Sequence, residues 1–232
     1  MKIAVYADFH GRLPEVDSLF PCDVMLIGGD IVIGRGGVLA RSWMDSNFKG
    51  WLEDIKSLRK DICHVIGIAG NHDFLFQEDM SFINRLKLSW TYLCDSEVII
   101  DGVKIYGTPW QPWFFDWAFN LDRPSNLSSI SEIEPQLTEK FAMIPDDTDI
   151  LLTHSPPHGI LDRNQSGSPC GSYALLQRVM DIKPVLHVFG HIHEARGVDH
   201  CQHENGESTI FVNASTISRS MRQYFDGMVF DI

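Results

Sequence analysis

Short apolar runs alternate along the chain with segments of helical spacing, and each run ends where Gly, Asp, Asn or His collect. Residues 2–7 read as a buried strand, 23–27 as a second and 62–69 as a third. Between the second and third, Trp51, Leu52, Ile55 and Leu58 recur at helical spacing in a segment that otherwise carries Glu53, Asp54, Lys56 and Arg59. That pattern predicts an amphipathic helix joining the two strands. Residues 97–100 and 103–106 flank Asp101-Gly102, a pair suited to a two-residue turn in which both positions take positive φ, so a β-hairpin is expected. Residues 127–142 read as helix, 149–153 and 185–189 as buried strands, and 209–212 and 228–231 as further strands. No linker, charge block or repeat divides the chain, so one α/β domain over residues 1–232 is expected. The main irregular stretch is 109–126, and its length points to function.

Composition narrows the classes. With 44% hydrophobic residues in 232, the chain can bury a large core without disulfides. Its formal charge of -12 opposes tight binding of long nucleic acid, which needs cationic side chains to displace counterions. Five scattered cysteines with no C-x-x-C pair suggest a reducing compartment. The apolar run at the amino terminus is too short for a signal peptide and stops at Asp8, and no stretch has the length of a membrane span. The expectation is a cytoplasmic protein with no membrane partner.

Five polar clusters fall at the carboxyl ends of the expected strands, where open α/β sheets place their ligands. They are Asp8-Phe9-His10, Gly28-Gly29-Asp30, Gly70-Asn71-His72-Asp73, Thr153-His154 and Gly190-His191-Ile192-His193. An Asp-x-His, a Gly-Gly-Asp or a Thr-His taken alone is an ordinary loop. The Asn-His-Asp and His-x-His words are sharper, since each sets several metal-binding or acid-base groups beside a glycine. All five in this order resemble the D-x-H, G-D, G-N-H-D/E, H and G-H-x-H pattern of the calcineurin-like metallophosphoesterases, and the match runs from Asp8 to His193.

That resemblance implies a four-layer α/β/β/α sandwich with mixed sheets and two divalent metal ions. Asp8, His10 and His193 would hold one ion, Asn71, His154 and His191 the other, and Asp30 would bridge them. Mixed imidazole, carboxylate and amide donors suit Mn²⁺ first, with Fe²⁺, Zn²⁺ and Ni²⁺ also compatible. The family chemistry is in-line attack on phosphorus by a hydroxide shared between the ions. His72 matches the family's non-ligand histidine and is expected to be the catalytic acid, with Asp73 orienting it and keeping it basic.

Several further words resemble one branch, the MPPED-type metallophosphoesterase-domain-containing phosphodiesterases. They are Gly107-Thr108-Pro109-Trp110-Gln111-Pro112, Asp116-Trp117-Ala118-Phe119-Asn120, the run from Ser155-Pro156-Pro157-His158 to Asp162, and His187-Val188-Phe189-Gly190-His191-Ile192-His193-Glu194. The branch usually carries Glu where this chain has Asp73, one methylene shorter, and often glycine where it has Ser155. The resemblance implies hydrolysis of small, nucleotide-like phosphodiesters, cyclic nucleotides included. A phosphomonoesterase is the alternative, and a non-catalytic nucleotide-binding scaffold a third reading.

Trp110, Trp113, Phe114, Phe115, Trp117 and Phe119 crowd the irregular stretch, where they would either stack on a base or form satellite core or a subunit contact. Arg12, His158 and Asn213, together with Ser215, are candidate substrate or cleft contacts. His64 and His187 lie in expected strands and read as satisfied interior histidines. His200, Cys201 and His203 run into the polar turn Glu204-Asn205-Gly206-Glu207, which argues against a third metal there.

Overall fold

The computed structural model describes residues 1–32, 34–122, 134–204, 206–218, 220, 222 and 224–232. Two mixed sheets carry the fold. The first has β4 (Thr91–Tyr92), β3 (Ile62–Ile68), β2 (Cys22–Gly28) and β1 (Lys2–Tyr6) in parallel, with β13 (Met228–Asp231) antiparallel at the far edge. The second runs β11 (Gly197–Gln202), β12 (Ser208–Asn213), β10 (Leu186–Phe189), β9 (Ile150–Thr153), β6 (Val103–Thr108), β5 (Ser96–Ile100). Its four inner strands are parallel and its two edge strands antiparallel. A separate short pair, β7 (Gln111–Pro112) and β8 (Asn120–Leu121), closes the aromatic stretch into a loop.

The period of two along each strand explains the layers. Ile3, Val5, Val24, Leu26, Ile66 and Ile68 face inward and meet Ile105, Ile150, Leu152, Leu186, Val188 and Val212 of the other sheet. The alternate residues Ala4, Tyr6, Met25 and Ile27 pack outward against Met44, Phe48, Trp51, Leu52 and Ile55, on or beside helices α1 (Gly37–Trp43) and α2 (Lys49–Leu58). On the other outer face Leu151, Phe189 and Phe211 pack against α5 (Pro135–Phe141) and α6 (Tyr173–Ile182). The result is the expected four-layer sandwich, and because inner strands are covered on both faces their sequences are continuous apolar runs.

The hairpin turn has the expected form, Asp101 at φ 49° and Gly102 at φ 85°. The expected helix 127–142 is present as α5 within the described residues, while 127–133 lies outside them. Missed altogether were α1, the short pair α3 (Phe74–Glu78) and α4 (Met80–Leu86), α6 and the edge strand β11. Among the described residues no helix is long and apolar enough to cross a membrane, and all five cysteines are free thiols.

Two histidines differ from expectation. His64 is exposed, because β4 pairs only with Ile66 and Gly67 and leaves the start of β3 uncovered. His187 is buried but only half satisfied. Thr153 Oγ1 donates to Ser155 O at 2.8 Å and so accepts from His187 Nε2 at 2.9 Å, while His187 Nδ1 has no partner. Burial pushes this imidazole down to about 3, which keeps it neutral.

Candidate metal centre

The two sheets are tied together where their strands end. Ala7 donates its N–H to Ala214 O at 3.0 Å, Thr216 donates to Ala7 O at 2.8 Å, and Ala214 donates to Phe189 O at 2.7 Å. These bonds bring the residues after β1, β2 and β3 against those after β9 and β10, and all seven expected ligands converge there. Asp8, His10, Asp30 and His191 take left-handed backbone conformations, with φ of 60°, 45°, 53° and 67°. Such conformations are uncommon in non-glycine residues and collect at functional sites.

Asp30 lies at the centre. Its Oδ2 is 3.6 Å from His10 Nε2, and its Oδ1 is 3.5 Å from His154 Nε2 while accepting the His72 N–H at 2.7 Å. One carboxylate oxygen therefore faces each ligand set. In the first set His10 Nε2 is 3.1 Å from His193 Nε2, and His193 Nε2 is 4.0 Å from Asp8 Oδ2. In the second, Asn71 Oδ1 lies 2.9 Å from His154 Nε2 and 2.8 Å from His191 Nδ1. Three overlapping groups, Asp8 with His10 and His193, His10 with Asp30 and His72, and Asp8 with Asp30 and His154, present donor atoms within 4.8 Å of one another.

The donors fit cations on their own chemistry. His154 Nδ1 donates to Gly28 O at 2.9 Å, so the neutral ring points its Nε2 lone pair at oxygens of Asn71 and Asp30. Lone pairs facing lone pairs call for a positive centre between them. Charge says the same. Burial, opposed only in part by the Asp8 carboxylate, pushes His10 down to about 3, and burial likewise lowers His154 and His191. Buried Asp8 is held below the usual carboxylate range by His193, His154 and His10, which outweigh its desolvation. Asp30 is driven well above that range by burial and by repulsion from Asp8 and Asp73. Asp8 and Asp30, buried close together, are both stable as anions only when cations compensate them.

Asp73 departs from its expected role. Its carboxylate turns away from the His72 ring and accepts N–H bonds from Ile31 at 3.0 Å, Val32 at 2.8 Å and Gly70 at 2.7 Å. It pins the backbone following Asp30 to the strand end that carries Asn71. Burial raises it to about 6, against the backbone hydrogen bonds of Val32, Gly70, Ile31 and Asp30. Among the described residues the hydrogen bonds of Asp73 go to backbone N–H groups and none to the His72 imidazole. His72 instead lies with its ring centroid 4.0 Å from that of Trp117 and 4.6 Å, edge on, from His10. Burial first, then His154, pushes His72 down to about 4.

Gly70 sits in the tightest part of this arrangement. A Cβ there would lie 2.6 Å from His154 Cε1 and nearer still to the Asp30 carboxylate and backbone nitrogen. Gly70→Ala is expected to cut metal per chain and to lower turnover at least about 10–100-fold, the scale seen when groups supporting metal ligands are lost. Elemental analysis checks this, and wild-type metal content would refute the packing argument.

A cavity of about 570 Å³ opens over the cluster. His10, Asp30, Asn71, His72, His191 and His193 form its floor, Pro112, Trp113 and Phe114 one part of its wall, and Asn164, Gln165, Ser166, Cys170 and Glu194 another. Residues 163–170 carry no recognisable pattern in the sequence, and Glu194, whose carboxylate accepts the Gln165 N–H at 2.7 Å, was read only as the end of a word shared with the branch, without a role. The three proposed substrate contacts do not line this cavity. Arg12 lies over Tyr224 at 4.7 Å beside a separate depression, and His158 stacks on Tyr173 at 3.6 Å. Buried Asn213 donates to Ile192 O at 2.9 Å, holding the backbone between His191 and His193. Ser215, also buried, donates to Ile217 O at 3.2 Å.

The aromatic stretch divides its rings. Phe119 is buried against Trp110, whose Nε1 donates to Asp95, so these two are core. Trp113 and Phe114 face the cavity, Trp117 covers His72, and Phe115 is exposed.

Residues 1–195 match the family described as calcineurin-like phosphoesterase. Over its whole length the chain is 34% identical to the human Metallophosphoesterase domain-containing protein 1, of which it spans 71%. It is also 34% identical over its whole length to the Caenorhabditis elegans UPF0046 protein C25E10.12, of which it spans 81%. The crystal structure of TT1561 of Thermus thermophilus has the same fold at 12% identity, with a TM-score of 0.55 over 90% of this chain and 88% of that one. The chain therefore belongs to the calcineurin-like phosphoesterase family, and it is a metal-dependent phosphoester hydrolase whose clustered Asp and His side chains suit divalent ions.

Proposed function

We propose that the protein is a phosphodiesterase acting on small, nucleotide-like diesters, cyclic nucleotides among them. Asp8, His10 and His193 would hold one divalent ion, Asn71, His154 and His191 a second, and Asp30 would serve both. Bound there, two such ions neutralise phosphate charge, act as Lewis acids and lower the pKa of water. Mn²⁺ suits the mixed nitrogen and oxygen donors, and the free thiols accord with a reducing, cytoplasmic setting.

The observation that carries the diester reading is the charge of the cavity wall. None of the described residues lining it is Lys or Arg, and Glu194 adds a carboxylate. A diester brings one negative charge to this wall and a monoester nearly two, and no Lys or Arg among the described lining residues meets the second charge. The exposed face of Phe114 offers a stacking surface for a base. His72 would give its Nε2 proton to the departing oxygen. Its free ring is neutral because burial holds it near 4, and the docked phosphate anion favours the protonated form.

The test is turnover by metal-stripped protein reloaded with Mn²⁺, Fe²⁺, Zn²⁺ or Ni²⁺, on cyclic mononucleotides and on a simple phosphomonoester. The diester should be cleaved faster, and only with metal restored. Preference for the monoester would establish the phosphomonoesterase, and stoichiometric nucleotide binding without product the scaffold.

A further inference from the structure

Among the described residues no carboxylate is hydrogen-bonded to the ring of the histidine assigned as acid. Asp30 Oδ2 lies 4.0 Å from its Nε2, and Asp73 is engaged by backbone N–H groups. What meets the imidazole is an indole. The Trp117 and His72 ring centroids are 4.0 Å apart with planes inclined by 36°. Trp117 is itself fixed from several sides. The Arg35 guanidinium lies 4.5 Å from its ring centroid, and Phe74 packs at 6.1 Å. The next residue, Ala118, donates its N–H to Asn71 O at 3.0 Å, and Phe119 donates to Gln77 Oε1 at 2.9 Å. Indole and imidazole are thus carried by backbones hydrogen-bonded one residue away from each ring.

We propose that Trp117, braced by Arg35, is a positioning residue for His72: its ring sets the imidazole plane and so aims Nε2 at the departing oxygen. The inference rests on His72 being the acid. As the P–O bond to the leaving group breaks, its electron pair stays on that oxygen, which takes the Nε2 proton. The attacking water supplies the new P–O bond and loses a proton to solvent, from which imidazolium is restored. Without the indole the ring rotates about its last torsion, and misplacement by about 1 Å can cost on the order of 10²-fold in rate. Trp117 is not among the residues lining the cavity, so the effect is expected on kcat rather than on KM.

The experiment compares two phosphodiesters that share one nucleoside, one expelling an alkoxide and one expelling 4-nitrophenolate, which needs little proton donation. Wild type, Trp117→Leu, Trp117→Phe and His72→Ala are loaded with Mn²⁺, and metal content is measured for each. Trp117→Leu should lower kcat on the alkoxide ester by about 10–100-fold with KM nearly unchanged, and on the nitrophenyl ester by about threefold or less. Trp117→Phe, which keeps an aromatic face, should recover most of the loss. Equal losses on both esters, a change confined to KM, or lost metal would overturn the proposal by making Trp117 a wall or a scaffold residue. If His72→Ala discriminates between the esters and Trp117→Leu does not, the positioning role alone falls. If His72→Ala shows no leaving-group dependence, the acid assignment falls and takes the positioning role with it.

Discussion

Asp30→Asn is expected to reduce phosphodiester turnover by about 10³-fold or more and to leave the purified protein short of metal. Loss of a group that merely supports a ligand costs on the order of 10–100-fold in metal affinity or activity. Asp30 directs one oxygen at His10 and the other at His154, so a single substitution weakens both ligand sets. The charge effect acts in the same direction, because the amide removes one of the anions that would compensate the ions. Stability separates this from simple damage to the fold. The carboxyl of Asp30 is raised well above 3.8 by burial and by its acidic neighbours, so in metal-free protein the native state binds the proton more tightly than the unfolded chain. That contribution is complete below about 3.8 and is lost as pH rises through the elevated native value. Metal-free Asp30→Asn protein should accordingly melt no lower than metal-free wild type at neutral pH, and its gain in Tm on adding Mn²⁺ should shrink sharply. Turnover near wild type, or a large loss of Tm in the chelated variant, would refute the shared role.

His72→Ala should give the opposite combination, full metal content with kcat reduced by about 10²–10⁴-fold, the usual scale for a general acid. Geometry makes this a sharp question. His72 Nε2 lies 4.0 Å from Asp30 Oδ2, and the side chain joins His10 and Asp30 in one of the three groups able to hold an ion. It is more exposed than His10 or His154, with 24% of its side chain open against 4% and 0%. A group that must meet the departing oxygen needs that access, whereas a buried ligand does not. A fall in metal per chain in the alanine variant would make His72 a ligand and remove it from proton transfer.

Much of the molecule was readable from one dimension. Strands covered on both faces must be apolar throughout, so β1, β2, β3, β9 and β10 announced themselves as runs, and Asp101-Gly102 announced its turn. Elements of few residues were not readable. The helices α3 and α4 are five and seven residues long, too short to show a period, and α6 follows a polar loop whose Glu134 partner comes from far upstream. β11 is a mostly exposed edge strand, so it lacks the alternation that marks a half-buried strand.

The chain alone determined which side chains would stand at the ends of the parallel strands, and in what order, because strand period and glycine placement are local properties. Only the tertiary structure decided what those side chains do for one another. Asp73 faces three backbone N–H groups, Arg12 and His158 point away from the cavity, and Trp117 rather than a carboxylate meets His72. Hydrogen-bond direction and ring stacking depend on atoms brought together from distant positions, Val32 from 41 residues before Asp73 and His193 from 183 after His10. No sequence spacing encodes that encounter, which the meeting of two sheets at their carboxyl ends brings about.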